Sequence, residues 1–174
     1  MRLFVAILFG EDFKNALAAY QSDLMAWGKA SWSRRENFHL TLAFIGEQDS
    51  ADDVIAALDR VEHKSFEAEL AGGVRFGAIR CAGIADGGES RLLAEKVRRA
   101  LDRAGIPYDR RPMMPHITLA RQFRPTSSTP ETEEMLRRLK PAPARETVRA
   151  FSLMRSERRN GQLVYTPLWT KPLA

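Results

Sequence analysis

A chain of 174 residues is long enough to bury a core of its own, and 44% hydrophobic with 28% charged residues is the composition of a folded domain, not of a disordered segment. Its single cysteine, Cys81, excludes an internal disulfide and any zinc site built on cysteine clusters, and it fits a reducing compartment. Lys and Arg outnumber Asp and Glu by 27 to 22, and the net charge of +5 is carried by arginine, which suits an anionic partner as well as it suits a plain solvated basic surface.

Met1 to Phe9 is an apolar run bounded by Gly10-Glu11-Asp12 with no small-residue cleavage site behind it, so it reads as a buried strand and not as a signal peptide. No run in the chain approaches membrane-spanning length. Phe13, Leu17, Tyr20, Leu24 and Trp27, at steps of four and three, predict an amphipathic helix with Asp12 as its N-cap and Gly28 as its stop. A strand carrying His39 follows and ends at Gly46. A second helix is expected after Ser50, with Val54, Ile55, Leu58 and Val61 inward and Asp53 complementing its N-terminal amides. Ser65 to Leu70 alternates as a strand does, and Gly72-Gly73 is the strongest internal break.

Beyond it the pattern repeats. Apolar strand material fills Val74 to Ala85, and a helix from about Ser90 turns Leu93, Val97 and Leu101 inward before Gly105 and Pro107 close it. A second histidine strand is followed by a helix opened by Thr129-Pro130-Glu131, with Met135, Leu136 and Leu139 inward. Two closing strands, Val148 to Met154 and Leu163 to Trp169, flank an Asn160-Gly161 hairpin turn. The order points to an α+β fold of two lobes related by a rough twofold axis, each an antiparallel sheet with helices, around a central cleft; a single mixed sheet is also compatible. Residues 1–174 are expected to be one bilobal unit, with approximate sequence halves 1–72 and 73–174 whose lobes can exchange strands.

The two histidine strands carry the chemistry. Asn37-Phe38-His39-Leu40-Thr41-Leu42-Ala43 has a near copy in Met114-Pro115-His116-Ile117-Thr118-Leu119-Ala120, and the shared core is His-x-Thr-Leu-Ala. Strand alternation puts His39 with Thr41, and His116 with Thr118, on the face opposite the apolar residues between them. A lone His-x-Thr in a strand is usually an ordinary half-buried pair; two copies 77 positions apart, in corresponding places, weigh toward a cleft with two imidazoles and two hydroxyls. Such a cleft can run acid-base chemistry on a phosphodiester, one imidazole taking a proton and the other giving one, while the hydroxyls donate to the phosphate oxygens. Metal ligation by His39 and His116 is the weaker reading, since neither stands in a His-x-His or His-Glu-x-x-His pattern. His63, between Glu62 and Lys64, reads as a helix C-terminal residue. Trp32, Phe38 and Phe123 could stack on a base, although aromatic residues flanking strands are more often core.

His39-Leu40-Thr41-Leu42 and His116-Ile117-Thr118-Leu119 resemble the paired motifs of the 2H phosphoesterase superfamily. The surroundings are similar to its RNA 2′,3′-cyclic phosphodiesterase branch, also called 2′-5′ RNA ligases: Arg2 to Ala6, Trp32 to Gly46, Arg121 after the second motif, and the Ser156 to Leu168 hairpin. Cys81 departs from the aromatic residue expected there, and Gly10-Glu11 from a proline. The resemblance implies metal-independent opening of RNA 2′,3′-cyclic phosphate ends to 2′-phosphomonoesters, with no cofactor. His39 would be the proton donor and His116 the proton acceptor, with Thr41, Thr118 and Arg121 holding the phosphate. It implies an RNA or oligonucleotide partner, a monomer, a cytoplasmic location and no membrane. The reverse reaction, 2′-5′ ligation, and a non-catalytic RNA-binding module of the same fold are the alternatives. Arg121 lies five positions after His116, so in a regular strand it would face away; a bulge or twist near Ala120 is needed to bring it round.

Overall fold

The computed structural model describes all 174 residues, Met1–Ala174. The elements run β1 (Arg2–Leu8), α1 (Glu11–Met25), β2 (Gly28–Trp32), a single 3₁₀ turn (Arg35–Asn37), β3 (His39–Glu47), α2 (Asp52–Leu58), β4 (Phe66–Phe76), β5 (Ile79–Ala85), α3 (Glu89–Arg103), β6 (His116–Pro125), α4 (Pro130–Arg138), β7 (Arg145–Val148), β8 (Ala150–Arg159) and β9 (Gln162–Pro172). The architecture is α+β, and every strand pair is antiparallel. No helix is long and apolar enough to cross a membrane.

The strands hydrogen-bond in the order β7-β4-β5-β6-β3-β1-β8-β9, with β2 added beside β6. Four strands thus lie on either side of a central seam, and each half has a histidine strand at the seam. The units β1-α1-β3 and β5-α3-β6 correspond. The outer strands are exchanged: β4, which closes the first half of the sequence, pairs with β5, whereas β8, from the second half, pairs with β1. The seam itself is narrow, with Leu40 opposite Ile117 as its one register pair.

The helices cover one face of the sheet. Leu3, Val5 and Ile7 of β1, Leu40 and Leu42 of β3, and Ile117 and Leu119 of β6 bury against Phe13, Leu17 and Leu24 of α1, Val54 and Leu58 of α2, and Leu93, Val97 and Leu101 of α3 in one continuous core. The opposite face is the cleft, on which Phe4, Ala6 and Met154 form a small separate apolar patch against Tyr165.

Several local expectations differ. Gly10, not Asp12, precedes α1; Asp12 sits in its first turn beside Glu11, where both complement the helix dipole without a side-chain cap. Gly28 opens a strand, β2, whose Gly-Lys-Ala-Ser-Trp sequence has little strand propensity and is held by pairing with β6. Gly72-Gly73 does not break the chain but lies inside β4, at a register shift opposite β5. A side chain at Gly73 would collide with the Tyr20 hydroxyl, so the glycine admits α1 to the sheet. Met135 is 36% exposed, and Leu136 alone of the three apolar residues named for α4 is fully buried. Thr129 caps α4 as expected, accepting a bond from the Thr132 amide, and Asn160 and Gly161 both have positive φ, 52° and 78°, as a two-residue hairpin turn requires.

Candidate active site

Because Leu40 and Ile117 are buried and opposite each other, the residues flanking them face the cleft. Continuing that antiparallel register by one place sets His39 across from Thr118 and Thr41 across from His116. The two imidazoles therefore occupy one diagonal of a four-residue cluster and the two hydroxyls the other. Both rings are anchored in the same way: His39 Nδ1 lies 2.7 Å from the Asn37 carbonyl oxygen, and His116 Nδ1 lies 2.6 Å from that of Met114. A carbonyl only accepts, so each Nδ1 carries the hydrogen and each Nε2 is left for the cleft. His39 Nε2 accepts from the Thr41 hydroxyl at 2.9 Å.

The surroundings of the two rings differ. His39 is packed by Phe4, ring centroids 5.0 Å apart, and edge-on by Tyr165 at 5.1 Å. Although part of the ring still opens to the cleft, protein surrounds it on nearly every other side. Burial therefore pulls its pKa from 6.5 to about 4, the bond to Asn37 opposes this, and the positive fields of Arg121 and His116 push the same way as burial. His39 is accordingly neutral in the free protein at neutral pH. His116 meets Phe76 edge-on at 5.0 Å. Thr118 stands 3.9 Å from the Cys81 thiol, which burial shifts upward.

Arg121 joins this face through a bulge. Between β5 and β6, Cys81 pairs with Thr118 but Arg80 pairs with Ala120, so two consecutive residues, Leu119 and Ala120, are both buried and the alternation is reset. Arg121 then points the way His116 and Thr118 do, and its charge acts on His39, Cys81 and Tyr165. Gln21, buried on α1, braces the bulge by donating to the carbonyls of Ser33 and Leu119 at 2.8 and 2.9 Å.

The structure thus brings His39, Thr41, His116, Thr118 and Arg121 to one face. It places Phe38 and Phe123 in the core, and Trp32 packs against Phe123, so these are not the cleft aromatics. Phe4, Phe44, Phe76 and Tyr165 take that place, with Phe44 48% exposed. Sequence reasoning missed them, although Phe4 sits at even spacing from Arg2 on a strand. Asn37, quoted only as part of the motif, has two tasks: its carbonyl holds His39 and its amide donates to the Leu163 carbonyl at 2.9 Å. His63 is not on a helix. It lies beyond α2, buried, with Nε2 donating to Glu89 at 2.7 Å and Nδ1 accepting from Lys96 at 3.0 Å, away from the cleft. No three His, Cys, Asp or Glu side chains converge in an arrangement that could hold a metal ion.

The chain is similar in sequence and fold to known proteins. The chain is 31% identical to an RNA 2′,3′-cyclic phosphodiesterase of Geobacillus stearothermophilus over 155 residues, covering 83% of this chain but 48%, about half, of that protein. An RNA 2′,3′-cyclic phosphodiesterase of Thermus thermophilus is 29% identical, with 97% of this chain and 88% of the relative covered. The crystal structure of Escherichia coli LigT complexed with 3′-AMP superposes with a TM-score of 0.83 at 25% identity, covering 99% and 97% of the two chains. The sequence pattern of the 2′-5′ RNA ligase superfamily matches residues 11–160, a stretch that contains both His-x-Thr motifs and Arg121, and the chain belongs to that superfamily.

Proposed function

We propose that this protein opens 2′,3′-cyclic phosphate ends of RNA to 2′-phosphomonoesters, using His39 and His116 as an acid-base pair and no metal. The observation that carries this reading is the placement of two His-x-Thr pairs across one strand seam, with Arg121 turned onto the same face by a bulge. The relatives named RNA 2′,3′-cyclic phosphodiesterases support the substrate, as does the LigT complex with 3′-AMP. Both imidazoles come from one chain, so a monomer suffices, acting as one bilobal unit over residues 1–174. The buried, unpaired Cys81 suits the reducing cytoplasm.

A cyclic phosphodiester between β3 and β6 receives hydrogen bonds from Thr41, Thr118 and the Arg121 guanidinium on its non-bridging oxygens. His116 Nε2 takes a proton from water as the water oxygen bonds to phosphorus. As the bond from phosphorus to the 3′ oxygen breaks, His39 Nε2 gives that oxygen a proton. His39 is neutral in the free protein, so it takes that proton onto Nε2 from solvent as the phosphate anion binds and offsets the burial that disfavours the charged ring. Once it is protonated, Nε2 becomes a donor and the Thr41 hydroxyl is free for the phosphate.

The low pKa of His39 favours a second reading in which the roles are reversed and His39 is the base. A substrate with sulfur in place of the 3′ oxygen needs little protonation and separates the two. Either His→Ala change should cost on the order of 10²–10⁴ in rate with the ordinary substrate. Sulfur should restore His39→Ala and leave His116→Ala inactive; rescue of His116→Ala instead would reverse the assignment. A chelator should leave the rate unchanged, and loss that a divalent ion restores would overturn the two-histidine mechanism.

A further inference from the structure

Strand β6 does not end its work at Arg121. Between β2 and β6, Ser31 pairs with Arg121 and Lys29 with Arg124, so two steps on β2 oppose three on β6. The extra residue is absorbed at Gln122, whose φ of 54° is one of two positive values among the non-glycine residues; the other is Asn160 in the hairpin turn. A left-handed conformation at a glutamine inside a strand is strained, and strain of this kind is kept where it re-aims side chains. Phe123 drops into the core, while Arg121 and Arg124, three apart and expected on opposite faces, emerge on the same one. His116, Thr118, Arg121 and Arg124 therefore form a single file, flanked by the exposed Ser31 and Lys29 of β2.

This file is basic and uncompensated. Lys29 and Arg124 are like charges directly opposite on paired strands, an arrangement that destabilises a sheet unless an anion lies over it. None of Lys29, Arg121 and Arg124 has a carboxylate within ion-pair distance, whereas on the other rim Arg155 and Arg159 share Glu157, at 3.5 and 2.6 Å, and Arg34 pairs with Glu36, leaving Arg2 and Arg158 there without a carboxylate partner. We infer that the β2–β6 ribbon is a docking track for single-stranded RNA, on which Lys29 and Arg124 hold backbone phosphates of the nucleotides leading to the terminal phosphate in the cleft. The inference rests on the proposed function for the position of the RNA end. It adds the direction in which the rest of the strand leaves and explains the strained bulge.

The test compares uridine 2′,3′-cyclic phosphate with a short oligouridylate bearing the same cyclic end, in wild type and in Lys29→Ala/Arg124→Ala. Both substituted side chains are exposed and lie outside the acid-base cluster. The double substitution should lower kcat/KM for the oligonucleotide about tenfold at low salt and reduce its log-log salt slope by about 1.4, about 0.7 for each backbone phosphate of a single strand that is no longer held. The mononucleotide should change by less than about twofold. A control, Arg155→Ala/Arg159→Ala, should leave the ratio of the two substrates unaltered. Equal losses on both substrates, no loss on the oligonucleotide, or a selective loss in the control would overturn the track. Fluorescence anisotropy of an oligouridylate ending in a 3′-phosphate reads binding without turnover. If wild type hydrolyses neither substrate, the proposed activity fails, and weaker anisotropy binding by the double variant still decides the track.

Discussion

An imidazole enclosed on all sides but the cleft leaves a mark on stability as well as on reactivity. The His39 pKa is depressed, first by burial and then by the fields of Arg121 and His116, to about 4 from 6.5. Between those values the unfolded chain binds a proton that the folded one resists, so the stability contributed by neutral His39 is fully present above pH 6.5 and is lost as the pH falls toward about 4. At 1.36 kcal/mol per pKa unit the ceiling is roughly 3 kcal/mol. His39→Gln removes the titrating group, so urea unfolding between pH 7 and 4 should show a shallower decline than wild type, and parallel curves would mean that His39 is not buried as described. At this scale much was legible in the sequence. The His-x-Thr repeats fix which side chains face the cleft, because alternation is a property of any strand. One of the two rings that pack on His39 was not legible: Tyr165 is 126 positions away, and only the β8–β9 hairpin, laid beside β1, brings it there.

Among the elements, the two bulges of β6 decide more than any helix does. A strand of regular pleat would send Arg121 to the core side, where Leu119 and Ile117 lie. The need for a bulge followed from counting residues from His116, but its place and its brace did not. Gln21 reads as one polar position on an amphipathic helix, and nothing in its spacing says that its amide ends on the carbonyls of Ser33 and Leu119. Gln21→Met keeps the volume and removes both bonds. The Leu119 carbonyl would keep the Ser33 amide, so the change should cost roughly 1–2 kcal/mol for the Ser33 carbonyl left unpaired, and lower kcat/KM through Arg121 more than Ala18→Ser, a change on the same helix, does. A Gln21→Met enzyme with unaltered kcat/KM would show that the bulge holds without its brace. Helix boundaries and the β2 strand were the other places where sequence fell short. Gly28 looked like a stop because glycine usually is one, and the pairing that makes it a strand residue comes from β6, nearly a hundred positions on.

For the whole molecule, the reciprocal exchange of β4 and β8 means that neither half of the chain contains its own sheet. A fragment ending at Gly77, in the turn between β4 and β5, carries β4 without β5 or β7 and β1 without β8. Each fragment alone should lack cooperative unfolding, and the two expressed together should reassemble a single folded species, seen by gel filtration and circular dichroism; an independently folded fragment 1–77 would refute the interdependence. The same topology gives the sheet an uneven texture. β8 and β9 are laced together from Ala150–Pro172 to Arg159–Gln162, while β3 and β6 share the Leu40–Ile117 register pair alone. In mechanical terms the sheet is two laced plates that meet at its thinnest hydrogen-bonded joint, backed on the helix side by the shared core, and the joint runs between the two imidazoles. A small rotation about it would change the span from His39 to His116 while leaving each ring's own carbonyl anchor untouched, so the gap across which a proton donor and acceptor must grip a phosphate is set by the joint and not by either anchor.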